Sequence, residues 1–133
     1  MNEYMIYYAE DDADDLYLFE QAFAHLPDVS IKHFANGAQL LESLHSIGPE
    51  QQPCLVVLDL NMPVLDGRET LMKLRTTPQL TQLPVLLFTT SNSIIDQRFA
   101  QHWGVDLITK PVLFEDMESL ASGMLARCQK KVS

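Results

Sequence analysis

Apolar side chains gather in five short runs: Tyr4 to Ala9, Val29 to Phe34, Cys54 to Leu58, Val85 to Phe88 and Val105 to Ile108. Four are nearly continuous, the pattern of strands covered on both faces, as in a parallel sheet. The second, interrupted by Ser30, Lys32 and His33, alternates and reads as an edge strand. Between these runs the apolar spacing is helical. Leu16, Phe19, Phe23 and Leu26 share one face, as do Leu40, Leu41, Leu44 and Ile47. Asp66 and Gly67 open a third helix around Leu71 and Leu74, which Pro78 closes. Ser93, with Asp96 three residues on, forms a capping box ahead of Ile95, Phe99 and Trp103. Leu113, Met117, Leu120, Met124 and Cys128 mark the last helix. The order βαβαβαβαβα implies right-handed crossovers and an open parallel sheet with helices on both faces, a doubly wound α/β fold.

A chain of 133 residues, 47% hydrophobic and 20% charged, suits one compact domain spanning residues 1–133. A net charge of −9 argues against a sequence-independent grip on nucleic acid or on an anionic membrane surface. Cys54 and Cys128 lie in apolar stretches, without CxxC spacing or paired histidines nearby. They read as unpaired core side chains in a reducing compartment, with neither a zinc site nor a disulfide expected. The start Met1-Asn2-Glu3 lacks a basic leader, and no apolar run nears the ~20 residues that span a bilayer, so a cytoplasmic protein is expected. His25, His33, His45 and His102 have no metal-binding spacing and read as surface or helix residues, while Trp103 reads as a packing residue.

In such a sheet ligands bind beyond the carboxyl ends of the strands. There stand Glu10-Asp11-Asp12 after the first strand, Asp59 after the third, Thr89-Thr90-Ser91 after the fourth and Lys110-Pro111 after the fifth. Converging carboxylates repel one another and resist desolvation, so something positive is required. Lys110 is one candidate; a divalent cation is the other, and an all-oxygen pocket points to Mg²⁺ or Mn²⁺. A carboxylate beside a metal and a lysine has the makings of a nucleophile towards a phosphoryl group, and Asp59 is the best placed. Thr89 could donate to a phosphoryl oxygen. Asp14 and Asp15 read as complements to the dipole of the first helix.

Ala9-Glu10-Asp11-Asp12, Leu58-Asp59-Leu60-Asn61-Met62-Pro63 with Asp66-Gly67, Pro84 to Thr90, and Gly104 with Lys110-Pro111 together resemble the receiver domain of two-component response regulators. The resemblance implies a (βα)5 flavodoxin-like or CheY-like three-layer sandwich with strand order 2-1-3-4-5. It implies that Asp59 accepts a phosphoryl group from a sensor histidine kinase or phosphotransfer protein. Mg²⁺ (or Mn²⁺) would be held by Asp11, Asp59 and the Asn61 carbonyl, with Glu10 acting through water. Thr89 would bind the phosphoryl oxygen, Lys110 would pair with the phosphate, and Lys110-Pro111 would be a cis peptide. Asn61 and Ser91 would stand at positions that modulate phosphate lifetime.

One position departs from the family. Leu107 stands where an aromatic ring usually couples to the threonine, so output would run through the loop and helix after the fourth strand. The resemblance further implies a stand-alone receiver, monomeric or weakly dimeric, that binds a downstream protein target through its fourth to fifth helices or passes the phosphoryl group on in a relay. Leu58 to Gly67 and Thr89-Thr90-Ser91 are also similar to receivers that partner bacterial phytochromes. A docking protein independent of phosphorylation is one alternative, suggested by Leu107. A Mg²⁺-dependent phosphatase is another, opposed by Asn61 where such enzymes need a general-acid aspartate. The expected product of the chemistry is an aspartyl phosphate on a switch, not an enzyme.

Overall fold

The structure, a computed structural model, describes residues 4–91 and 93–130. Strands and helices alternate: β1 (Tyr4–Ala9), α1 (Ala13–Phe23), β2 (Val29–Phe34), α2 (Gly37–His45), β3 (Leu55–Leu58), α3 (Gly67–Thr76), β4 (Val85–Thr89), α4 (Ile94–Trp103), β5 (Asp106–Thr109) and α5 (Phe114–Lys130). Short 3₁₀ turns at Pro49–Gln51 and Pro78–Leu80 lie in the connections before β3 and β4. All five strands run parallel in the order β2-β1-β3-β4-β5.

The continuous apolar runs have a direct cause in the layers. Side chains alternate across a strand, so β1 sends Tyr7 and Ala9 to one face and Ile6 and Tyr8 to the other. The first face packs on Leu40, Leu41 and Leu44 of α2 and Leu71 and Leu74 of α3. The second packs on Phe19 and Phe23 of α1 and Met117 and Met124 of α5. Each large side chain so buried contributes about 1.5–3 kcal/mol. Tyr8 stacks on Phe19 with ring centroids 3.9 Å apart, and Phe88 of β4 joins them, so an aromatic cluster underlies the carboxyl ends of β1 and β4.

Local signals set the helix starts. Asp12, Asn36, Asp66 and Ser93 each accept a backbone N–H three residues on, capping α1, α2, α3 and α4. Helix α4 ends at Gly104, whose φ of 68° favours glycine, and Val105 N–H returns to the Ala100 carbonyl. That cap takes Val105 out of β5, which the apolar run had placed in it. β5 is also a second edge of the sheet, with Asp106 and Thr109 exposed, in contrast to the two-sided cover its apolar run suggests. Among the described residues no helix is long and apolar enough to cross a membrane.

The cysteine expectation is overturned. Cys54 and Cys128 form a disulfide, with Cα atoms 5.1 Å apart across 74 residues of sequence. Helix α5 packs against β3, so its last turn meets the residue preceding that strand. No motif spacing records a contact made only by the tertiary fold. Closing so long a loop restricts the unfolded chain, and reduction should lower the unfolding free energy by about 2–4 kcal/mol. Urea titration with and without a phosphine reductant measures this; Cys128→Ser should match the reduced protein, and equal midpoints in all three would refute the cross-link.

Candidate functional site

The sheet order brings the ends of β1 and β3 side by side. The Glu10 N–H continues the ladder to the Phe34 carbonyl at 2.9 Å, and the Asp59 N–H reaches the Ala9 carbonyl at 3.2 Å. Carboxylate oxygens of Glu10, Asp11 and Asp59 consequently lie within 4.8 Å of one another. Glu10 and Asp59 are buried, at 1% and 7% exposure, while Asp11 faces solvent. Lys110 follows β5, its N–H on the Thr89 carbonyl at 2.8 Å. Its ammonium reaches Glu10 Oε1 at 2.6 Å, Asp15 Oδ2 at 2.8 Å and Asp59 Oδ2 at 3.4 Å.

Glu10 is saturated. Its Oε1 also takes the Tyr8 hydroxyl at 2.7 Å, and its Oε2 the Asp12 N–H at 3.3 Å. His33 Nε2 stands 2.6 Å from the Glu10 carbonyl oxygen, bracing the same residue from β2. Asp59 is the less satisfied carboxylate. Burial, reinforced by the facing Glu10, pushes its carboxyl up to about 7, against the pull of Lys110 and the Asn61 N–H. Burial alone would lower the Lys110 ammonium, but hydrogen bonds to Asp15 and Glu10 and the charges of Glu10 and Asp59 outweigh it and hold the lysine above its ordinary value. Burial, then Glu10, drives the Tyr8 phenol well above its usual range, so it remains a donor.

One ammonium facing several carboxylates leaves the pocket short of positive charge. The less committed donors are the oxygens of Asp11 and Asp59, the latter held by Lys110 at 3.4 Å and by the Asn61 N–H. A hard divalent ion of the Mg²⁺ or Mn²⁺ type fits that donor set. Thr89 closes β4, fully buried, with Oγ1 accepting the Ser91 N–H at 3.2 Å. The loop after Asp59 folds back closely: the Gly67 N–H donates to the Leu60 carbonyl at 3.1 Å, and a Cβ at Gly67 would sit 2.2 Å from the Asp59 carbonyl oxygen. Only glycine permits that approach.

Of the sequence-derived residues, Glu10, Asp11, Asp59 and Lys110 come together at one rim, the Asn61 N–H reaches Asp59, and Thr89 ends the neighbouring strand with its carbonyl on the Lys110 N–H. Four details differ from the expectations. Asp15 does more than complement a helix dipole, because Lys110 lies within its reach; Asp14 alone keeps that simpler role in the exposed first turn. Tyr8 and His33, read as core and surface residues, both hold Glu10. The Lys110-Pro111 bond is trans, as are all peptide bonds among the described residues, in keeping with the trans preference of about 0.5–1 kcal/mol at proline. The Ser93 cap is half a capping box: Ser93 Oγ accepts the Asp96 N–H, but the Asp96 carboxylate binds Ser91 and Arg68.

Comparison with known proteins agrees with this geometry. The family model described as response regulator receiver domain matches residues 6–122. The chain is 33% identical over 120 residues to the probable methanogenesis regulatory protein FilR2 of Methanothrix harundinacea, covering 86% of this chain and 77% of that one. It is 34% identical over 74 residues to the response regulator Rcp1 of Synechocystis sp., covering 55% of this chain and 50% of the relative. The phosphorylated cyanobacterial phytochrome response regulator RcpA superposes with a TM-score of 0.82 at 27% identity, covering 91% of this chain and 90% of that one. The Mn²⁺-bound form of Rcp1 gives 0.79 at 27%, covering 91% of each.

The raised Asp59 carboxyl has a consequence for stability. Its folded value of about 7 exceeds the ordinary 3.8, so the neutral form favours folding, and ionisation becomes steadily more costly as pH rises from about 4 to about 7. In chelator at pH 7.5, Asp59→Asn should therefore stabilise the protein, by on the order of 1–3 kcal/mol. The gain should fade as pH falls towards 4 and shrink in Mg²⁺. Urea unfolding at both pH values, with and without Mg²⁺, decides; a variant less stable than wild type in chelator at pH 7.5 would contradict the charge argument.

Proposed function

The chain belongs to the response regulator receiver-domain family, and we propose that it is a phosphorylation-controlled switch whose phosphoacceptor is Asp59. The observation that carries the proposal is the position of Asp59: a buried carboxylate 3.4 Å from the Lys110 ammonium and grouped with Glu10 and Asp11. An Asp59 carboxylate oxygen attacks the phosphorus of a phosphohistidine. The P–N bond breaks, the imidazole leaves and takes up a proton, and an aspartyl phosphate forms. Asp11, Asp59 and the Asn61 carbonyl would hold Mg²⁺ or Mn²⁺. The ion, when bound, would neutralise charge on the phosphoryl oxygens. Lys110, tied to Asp15 and Glu10 and 3.4 Å from Asp59, is placed so that a donor now facing Asp59 would turn to the same oxygens. Thr89 supplies a hydroxyl from the end of the neighbouring strand.

Glu10 acts here as an anchor: with Oε1 bound to Tyr8 and Lys110, it aims the lysine at Asp59. The protein is a switch and not an enzyme acting on free phosphomonoesters, because Asn61 has no proton to give a leaving alkoxide. Its donor is a histidine kinase or phosphotransfer protein, and its output a protein target or onward transfer.

Acetyl phosphate or phosphoramidate with Mg²⁺ should add one phosphoryl group by intact mass, and chelator should abolish the uptake. Asp59→Asn should take up none. A phosphorylated Asp59→Asn protein would remove Asp59 from its role, and multiple turnover of p-nitrophenyl phosphate would favour the phosphatase reading.

A further inference from the structure

Thr89 is not isolated at the end of β4. The Ser91 N–H on its Oγ1 belongs to a residue whose own hydroxyl donates to Asp96 Oδ2 at 2.6 Å and accepts the Ser93 N–H at 3.4 Å. The other Asp96 oxygen takes Arg68 Nη2. Arg68 is the second residue of α3, directly after the Gly67 that lies against the Asp59 carbonyl. Polar contacts therefore cross from the start of α3, which packs closely on the Asp59 main chain, to α4 through one ion pair, and reach Thr89 by way of Ser91.

Capping alone does not account for this chain of contacts. Ser93 Oγ already takes the Asp96 N–H at the start of α4. Asp96 is 4% exposed; burial opposes its charge, but hydrogen bonds from Ser91, Arg68 and Ser93 outweigh burial and hold its carboxyl below the usual range. The same bonds fix position. Only through Ser91 does the Asp96 carboxylate reach the hydroxyl of Thr89. Leu107 adds a reason for such a device, because no aromatic ring stands on β5 to couple to Thr89.

We propose that Arg68, Asp96 and Ser91 form a latch of positioning residues that holds Thr89 in its resting orientation and opens when the threonine turns to a phosphoryl oxygen on Asp59. This rests on the phosphoacceptor reading above. As Oγ1 moves, the Ser91 N–H loses its acceptor, Ser91 leaves Asp96, and the first turn of α4 is freed from α3. Arg68 stays with the Asp59 loop, so the two ends of the latch belong to the two strands whose ends must approach. Coupling is reciprocal: whatever opens the latch must favour the phosphorylated state.

Beryllofluoride with saturating Mg²⁺, an acyl-phosphate mimic, is the probe, and amide NMR is the readout. Ser91→Ala and Asp96→Asn should speed exchange at the Thr90, Ser91 and Ser93 amides in the free protein. They should also tighten beryllofluoride binding about fivefold or more. Arg68→Met should act in the same direction and Arg68→Lys should restore wild-type affinity; a merely structural role would weaken the binding or leave it unchanged. Unchanged or weaker affinity in variants whose urea midpoints match wild type would overturn the latch while leaving the phosphoacceptor intact. A wild-type protein that binds no beryllofluoride would overturn the functional reading and the latch with it.

Discussion

The structure turns on an imbalance of charge in one small volume. Glu10, Asp11 and Asp59 bring carboxylate oxygens within 4.8 Å of one another, Asp15 adds a fourth acid, and Lys110 is the ammonium that holds them. Like charges at that distance in a partly dry pocket cost several kcal/mol unless compensated. The fold bears that cost because the layers beneath are apolar and closely packed. The strand order β2-β1-β3-β4-β5 then decides which residues pay it, by setting the ends of β1 and β3 next to each other and letting Lys110 reach across from β5.

Compensation is uneven, and the unevenness is chemically useful. Glu10 receives Lys110, the Tyr8 hydroxyl and the Asp12 N–H, so its charge is spoken for. Asp59 receives the lysine only at 3.4 Å and is left with a carboxyl raised to about 7. Two acids in one pocket thus differ through their surroundings: Glu10 holds the ammonium closely, while Asp59 keeps the costlier charge. The close packing of Gly67 on the Asp59 carbonyl holds the main chain of that residue against the start of α3. Val64, in the same loop, holds a φ of 67° with its side chain 80% exposed, a strained conformation for a β-branched residue.

The legibility of these features in the sequence followed a physical division. Continuous apolar runs such as Cys54 to Leu58 are written by two-sided burial, and Asp59 stands out because a charge closing such a run must have partners. Caps at Asp66 and Ser93 are local, hence visible. Asp15 was not, because an acid in the first turn of a helix looks the same whether it faces water or a lysine 95 residues away. Tyr8 hides its hydroxyl in a strand whose ring packs like any core aromatic. The Cys54–Cys128 bond and the Arg68–Asp96 pair depend on how α5 and α4 lie against their neighbours. The second edge at β5 follows from the strand order 2-1-3-4-5, which the family resemblance implied and the structure has, although the four-residue run by itself reads as covered.

The overall charge of −9 sharpens the role of the local cations. At physiological ionic strength fields between exposed charges fade over about 8 Å, so much of that charge is screened from an approaching phosphoryl group. The rim is different, because its acids are buried and close together, and salt screens them poorly. A phosphoryl group therefore meets its barrier in the last few ångströms, where Lys110 and a bound divalent ion are the means of lowering it. Exposed Val112, Leu113 and Phe114 directly follow Lys110, so apolar surface borders this charged rim. The burial that raises the Asp59 carboxyl and the crowding of acids around Lys110 thus have one electrostatic origin.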